Sequence, residues 1–289
     1  MTATAASPLA NAPTRAADMA QAEGENFPVA TRLVGARRRA HLLAIYGFAR
    51  LVDDAGDEAS GDRLALLDGI EGDLDRVYGS ASSESPEHPV LGALAPTVRA
   101  LSLPAEPFRR LIEANRRDQV IDRYPSFEAL LDYCSLSAAP VGELVLHVFG
   151  AATPDRIRLS DRICAALQVT EHLQDVAEDR ERGRVYLPAE DLERFGCTDA
   201  DLLARTPTRA FAALMAFEVK RARALLAEGA PLVRRLEPRA AIAVAGFVAG
   251  GRAALDAVAG AGYDVLGARP RPTRWGFAAA LVRTARGRA

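Results

Sequence analysis

The chain has 289 residues, 49% hydrophobic and 26% charged, with a formal net charge of −2. That is enough apolar mass for a sizeable core, and it lacks the global positive field that nucleic-acid binding requires, so no nucleic-acid partner is expected. Cys134, Cys164 and Cys197 are widely spaced without a CxxC pair, which argues against a disulfide framework or a structural zinc site and fits a reducing cytoplasm.

Residues 1–23 are Ala-rich and polar, with no charged start leading into an apolar run. They are expected to be a poorly ordered tail rather than a signal peptide. Residues 24–289 are expected to form one all-α domain, because helical periodicity dominates and no convincing strand alternation occurs. The pattern predicts helices over 35–58, 62–79, 88–101, 105–122, 126–150, 154–181, 207–235, 238–261 and 273–286. Ser126, and Thr153 followed by Pro154, read as helix starts. Ser80–Pro89 reads as a polar loop, and Pro140 inside 126–150 as a kink that lets a helix wall bend. The longest apolar run, Ala240–Gly251, is bracketed by Arg239 and Arg252 and is too short to span a bilayer.

Two acidic clusters stand out: Asp53-Asp54-Ala55-Gly56-Asp57 and Asp175-Val176-Ala177-Glu178-Asp179. Each sets carboxylates four residues apart, on one helical face, where like charges weaken a helix by a few tenths of a kcal/mol. Tyr46, Arg50, Asp53 and Asp57 form one such stripe, and Gln168, Glu171, Asp175 and Asp179 a second, followed by Arg180, Arg182 and Arg184. Either stripe alone also reads as ordinary ion pairing on a helix surface. Together they suit hard divalent cations, since Mg²⁺ takes one or two carboxylates plus phosphate oxygens while guanidiniums bind the remaining phosphate charge. His172 and Tyr186 are candidates for acting on a substrate oxygen, against the plainer reading of both, and of His147, as packed polar residues.

These motifs resemble the squalene and phytoene synthase family of head-to-head prenyl synthases. The resemblance rests on Tyr46-xxx-Arg50-xx-Asp53-Asp54-xx-Asp57, Tyr133-Cys134 through Ala139-Pro140-Val141-Gly142-Glu143, Gln168 with Asp175-xxx-Asp179, and Arg182-Gly183-Arg184-Val185-Tyr186-Leu187-Pro188. Glu25-Asn26-Phe27-Pro28-Val29-Ala30, Ser137–Gly142 and His172-Leu173-Gln174-Asp175 are most similar to the family's bacterial hopanoid-pathway branch. The resemblance implies an isoprenoid-synthase helical bundle around a central cavity, with Mg²⁺ as cofactor. It implies metal ligands at Asp53, Asp54, Asp57, Asp175 and Asp179, and diphosphate contacts at Arg50, Arg184 and Tyr46. Phe27, Val141, Gly142 and Gln168 would line the tunnel for the prenyl chain. Two positions depart from the family pattern: Glu171 replaces the usual Asn, adding a metal ligand or a repulsive charge, and Gln174 stands where Arg is common.

The implied reaction converts presqualene diphosphate, supplied by a sister enzyme, into hydroxysqualene, by ionisation, rearrangement and capture by water. No GxGxxG follows a strand, so no dinucleotide site of the usual kind is expected. The alternatives are condensation of two farnesyl or geranylgeranyl diphosphates to squalene or phytoene, and a noncatalytic scaffold for pathway partners. The C-terminal segment carries Arg269, Arg271, Arg274, Arg283, Arg286 and Arg288 with no acid after Asp264, and Trp275, Phe277, Leu281 and Val282 lie among them. It reads either as a solvated basic helix or as a peripheral contact with the inner face of a membrane.

Overall fold

A computed structural model describes residues 35–79 and 85–285. The tail over 1–23 and Phe27 lie outside the described residues. Helices account for the fold: α1 (Ala36–Asp57), α2 (Arg63–Tyr78), α3 (Pro89–Leu101), α4 (Glu106–Arg117), α5 (Phe127–Ser137), α6 (Ala139–Val148), α7 (Pro154–Gln174), α8 (Val176–Glu181), α9 (Ala189–Phe195), α10 (Asp199–Leu202), α11 (Arg209–Gly229), α12 (Pro238–Gly260) and α13 (Arg274–Ala285). The starts follow local chemistry. The side chains of Asp62, Ser126 and Thr208 accept from Ala65 N, Ala129 N and Phe211 N, satisfying first-turn amides that have no partner within the helix. Thr153 precedes Pro154, whose missing N–H costs nothing in a first turn.

The residues fall into two compact units. Unit 1 holds α1 to α4 and Glu143–Ala152, which includes most of α6. There α1 packs on α3 and α4. Phe48 and Phe108 meet edge to face at 5.0 Å between ring centres, in a core completed by Leu51, Leu67, Ile70 and Leu91. Unit 2 holds Ile121–Gly142 and everything from Thr153 onward. Its spine is α7 against α11, with α12 lying on both and α13 on α12. The helix Pro238–Gly260 is long and apolar enough to cross a bilayer by length and composition, as is the stretch Phe127–Val148. The first buries Val244, Val248, Leu255 and Val258 in unit 2, and the second is interrupted at Ala138.

Five of the nine expected helices appear within two residues of both predicted ends, and four expectations need correction. The helix expected over 105–122 ends at Arg117. Residues 126–150 are two helices. Proline does not kink a continuous helix there: α5 ends at Ser137, and Pro140 sits in the first turn of α6, where its missing N–H has no partner to lose. Residues 154–181 are also two helices, separated at Asp175 with φ −106° and ψ 15°. Beyond Gly229 the chain tightens into a 3₁₀ turn over Ala230–Arg235. The short helices α9 and α10 carry too few residues to show a period. Among the described residues the only strand-like pairing is an isolated parallel bridge, Arg123 with Val185.

Within unit 2, Gly142 explains how closely the first turn of α6 approaches α7. A Cβ placed there would lie 2.5 Å from Cys164 Sγ and nearer still to Ser160 Oγ. Its hydrogen faces α7, so its place is at a helix contact. Gly142→Ala is expected to lower unfolding stability by about 1–3 kcal/mol, as overpacking does, seen as a lower midpoint in thermal or urea unfolding. An unchanged midpoint would mean that the contact is loose.

Candidate metal and diphosphate site

In unit 1, α1 sets Tyr46, Arg50, Asp53 and Asp57 on one stripe, as expected, because it runs unbroken from Ala36 to Asp57. Asp54 and Asp53 have different surroundings. Asp54 is buried, and its Oδ1 accepts from Arg50 NH2 at 2.6 Å. A predicted metal ligand and a predicted diphosphate contact are thus paired with each other. Asp53 remains open to water but is walled by protein. Lost hydration pushes its carboxyl up to about 7, and the neighbouring Asp57 and Asp54 add to the rise, against the opposing pull of Asn115 and Arg50. Asp57 is exposed.

The sequence reading missed the support from α4. Asn115 Nδ2 donates to Asp53 Oδ1 at 3.2 Å and to Leu111 O at 3.3 Å. Gln119 Nε2 donates to Gly56 O and Asn115 O, both at 3.0 Å. A side chain at Gly56 would collide with Asn115, so the glycine within the acidic cluster is what admits this brace.

In unit 2, α7 carries Gln168, Glu171 and His172, the helix breaks at Asp175, and α8 carries Asp179. The break leaves the four-residue register intact: Asp175 N donates to Glu171 O at 2.9 Å, and Asp179 N to Asp175 O at 2.8 Å. Gly183, at φ +81°, then reverses the chain so that Arg184 N reaches Asp179 O at 2.9 Å and Val185 N reaches Asp122 O at 2.8 Å. A small cleft results, lined by His172, Val176, Asp179, Arg180, Arg184 and Tyr186.

His172 is the node of this cleft. Its ring stacks on Tyr186 with centroids 3.6 Å apart and planes 13° apart, and Tyr133 and Tyr124 flank Tyr186. Gln168 Nε2 donates to His172 Nε2 at 3.1 Å, which places the proton of a neutral ring on Nδ1. That nitrogen faces Asp179 Oδ2 at 3.6 Å, too long for a hydrogen bond. Asp179 Oδ2 is therefore buried with no hydrogen bond among the described residues. Asp175 is pushed up to about 6, chiefly by lost hydration and further by Asp179 and Glu178, while Arg269 opposes the rise.

Arg269 was grouped with the basic tail by sequence alone. Its Nε lies 2.8 Å from Asp175 Oδ1, off the N–H direction, so this is an ion pair without an aligned hydrogen bond. Gln174, buried, donates to Pro270 O at 2.6 Å and so holds that strand of chain in place. A cation thus stands beside Asp175 although residue 174 is not arginine. Glu171 is exposed, Val141 half-buried and Gly142 buried.

The donor set fits a divalent cation of a particular kind. Each cluster holds dehydrated carboxylates beside like charges, and Asp179 keeps an unsatisfied oxygen, all of which a cation would relieve. No group of three or more metal-ligating side chains converges among the described residues. The fit is therefore to a hard divalent cation with coordination positions left open, not to a closed protein cage.

An all-helical fold with a carboxylate cluster in each unit is that of the isoprenoid synthases. The chain belongs to the squalene/phytoene synthase family, whose model it matches over residues 20–276. The crystal structure of squalene synthase HpnC from Alicyclobacillus acidocaldarius is 44% identical with a TM-score of 0.77, covering 86% of this chain and 90% of that one. The hydroxysqualene synthase of Zymomonas mobilis is 36% identical over 62% of this chain, a match spanning 60% of that relative's own length. The phytoene synthase of Mycobacterium bovis is 33% identical over 75% of this chain and 71% of its own.

Asp53 yields a pH dependence. Its folded carboxyl titrates near 7 against an ordinary 3.8, so the folded state holds the proton more tightly. That contribution to stability is complete below the ordinary value and is lost as pH rises through the folded one. Asp53→Asn is expected to gain on the wild type in urea unfolding midpoint between about pH 5 and about pH 8. A gap independent of pH would contradict the assignment.

Proposed function

We propose that this protein converts presqualene diphosphate to hydroxysqualene in a Mg²⁺-dependent reaction. The observation that carries the proposal is the cleft in unit 2, where Asp179 holds an unsatisfied carboxylate oxygen beside Arg180 and Arg184. An acid in need of a cation next to two guanidiniums is what a metal-bound diphosphate requires. The choice of reaction within the family is supported by the hydroxysqualene synthase from Zymomonas mobilis and by the HpnC structure. The likeness to a phytoene synthase favours the second reading, condensation of two prenyl diphosphates.

In the proposed mechanism the unit 1 acids Asp53 and Asp57, with Asp54 if Arg50 releases it, would hold Mg²⁺ at their cluster, and in unit 2 Asp175 and Asp179 would hold it at theirs. Glu171, one turn before Asp175, adds negative charge and a further oxygen ligand. When bound, Mg²⁺ neutralises charge on the departing diphosphate. In unit 1 Arg50 would bind phosphate oxygens by exchanging its partner Asp54 for them, with Tyr46 alongside, and in unit 2 Arg184 would bind them. Their guanidiniums stabilise the charge that grows as the carbon–oxygen bond breaks. Asn115 and Gln168 keep their acid and imidazole neighbours in orientation. Tyr186 and His172 stack on one another, which suits them to stabilise a carbocation, and in this reading the same two groups would order the capturing water. Val141 and Gln168, with Phe27 by resemblance, would contribute to binding the prenyl chain, whereas Gly142 serves the contact with α7.

Mass spectrometry of products tests this, with presqualene diphosphate and farnesyl diphosphate offered separately, Mg²⁺ present and NADPH omitted. Hydroxysqualene from the first substrate alone is expected, and presqualene diphosphate from the second would move the chain to the condensing reaction. Asp179→Asn is expected to lower turnover about 10²-fold or more with the fold intact. His172→Leu is expected to raise the ratio of hydrocarbon to alcohol, and an unchanged product profile would remove it from the capture step.

A further inference from the structure

Helix α13 is attached to unit 2 by one face only. Ala280 and Thr284 are buried, Phe277 packs against Ala249 and Ala253 of α12, and Arg252 NH1 donates to Thr284 Oγ1 at 3.2 Å. At 3.6 residues per turn, the opposite face carries Trp275, Ala278, Ala279 and Val282, with Leu281 at its margin. This face is apolar and open to water: Trp275 is 86% exposed, Val282 48% and Leu281 36%. A surface helix normally turns polar residues outward, so a helix apolar on both faces has a second surface to bury.

The charge around that face identifies what covers it. The segment after Asp264 holds six arginines and no acid. Two of these are neutralised within the protein, Arg269 by Asp175 and Arg283 by Asp256 at 2.7 Å. Arg271 and Arg274 are exposed and have no ion pair among the described residues, and Arg274 directly precedes Trp275. Tryptophan just after two unpaired arginines, on an apolar helix face, matches the boundary between headgroups and acyl chains, where an indole ring is half wet and guanidiniums meet lipid phosphates. A second protein would have to supply an acidic rim around an apolar patch, whereas an anionic bilayer supplies both at once.

We propose that the outer face of α13, centred on Trp275 and Val282 and flanked by Arg271 and Arg274, docks this protein on an anionic lipid surface. The helix lies flat, with its Ala280 and Thr284 face still packed on α12. It is too short to span a bilayer: a crossing takes about 20 residues. The docking stands independently of which prenyl diphosphate the protein consumes.

Trp275 is the sole tryptophan, so its fluorescence reports on this face directly. The full chain is mixed with neutral phosphatidylcholine vesicles, or with vesicles containing phosphatidylglycerol. Emission is expected to move to shorter wavelength, and protein to pellet, with the anionic vesicles only, both effects weakening in about 0.5 M salt. Arg271→Gln with Arg274→Gln is expected to lower partitioning about 25-fold, since each basic residue near an anionic surface is worth roughly fivefold. Val282→Asp is expected to abolish the emission shift, with circular dichroism unchanged. Three results would overturn the proposal: no shift and no pelleting with anionic vesicles; equal binding to neutral vesicles; or a wild-type emission already short in wavelength without lipid, which would mean that another part of the chain or a second copy covers the face.

Discussion

Carboxylates held one helical turn apart, in surroundings that strip their water, are the constraint around which both halves of this protein are organised. Lost hydration lifts Asp53 to about 7 and Asp175 to about 6. Each cluster is braced by polar neighbours. Asn115 and Arg50 hold the acids of unit 1, and Arg269 and His172 stand beside those of unit 2. The braces are partial by design of their geometry: the Arg269 contact is misaligned, and the His172 contact is too long for a hydrogen bond. Acids satisfied halfway are acids with room for a cation.

The second consequence is that the arginines are held in reserve. Arg50 is tied to Asp54 and Arg269 to Asp175, so positive charge sits at each cluster before any ligand does. A divalent cation arriving with a diphosphate could take over the acids while the phosphates take the guanidiniums. Partner exchange of this kind conserves the number of charge pairs, which keeps the cost of dehydrating either group low.

The helices and the acid stripe on α1 were legible because the 3.6-residue period, the polar caps and the prolines all agree over long segments. The stripe on α7 was legible in register but not in shape. The break at Asp175 carries no proline or glycine, and it is fixed by contacts from far along the chain: Gln174 reaches Pro270, and Arg269 reaches Asp175. Long-range pairs leave no periodic trace. The same holds for Asn115 on α4 and Gln119 just beyond its end, ordinary polar positions until Gly56 opens a place for Asn115. Pro140 was misread for a related reason, since a proline in the first turn of a new helix and one inside an old helix look alike without the backbone. The stack of His172 on Tyr186 joins α7 to the chain beyond α8, and it became visible only once the turn at Gly183 was in place.

Calorimetric titration with inorganic pyrophosphate, in the presence and absence of Mg²⁺, tests most directly whether these acids exist to hold a metal-bound diphosphate. Pyrophosphate with Mg²⁺ is expected to bind the wild type, to bind Asp179→Asn at least tenfold more weakly, and not to bind in excess chelator. Binding of equal strength in chelator would contradict the account, because it would show that the arginines recognise the phosphates without any need for the carboxylates.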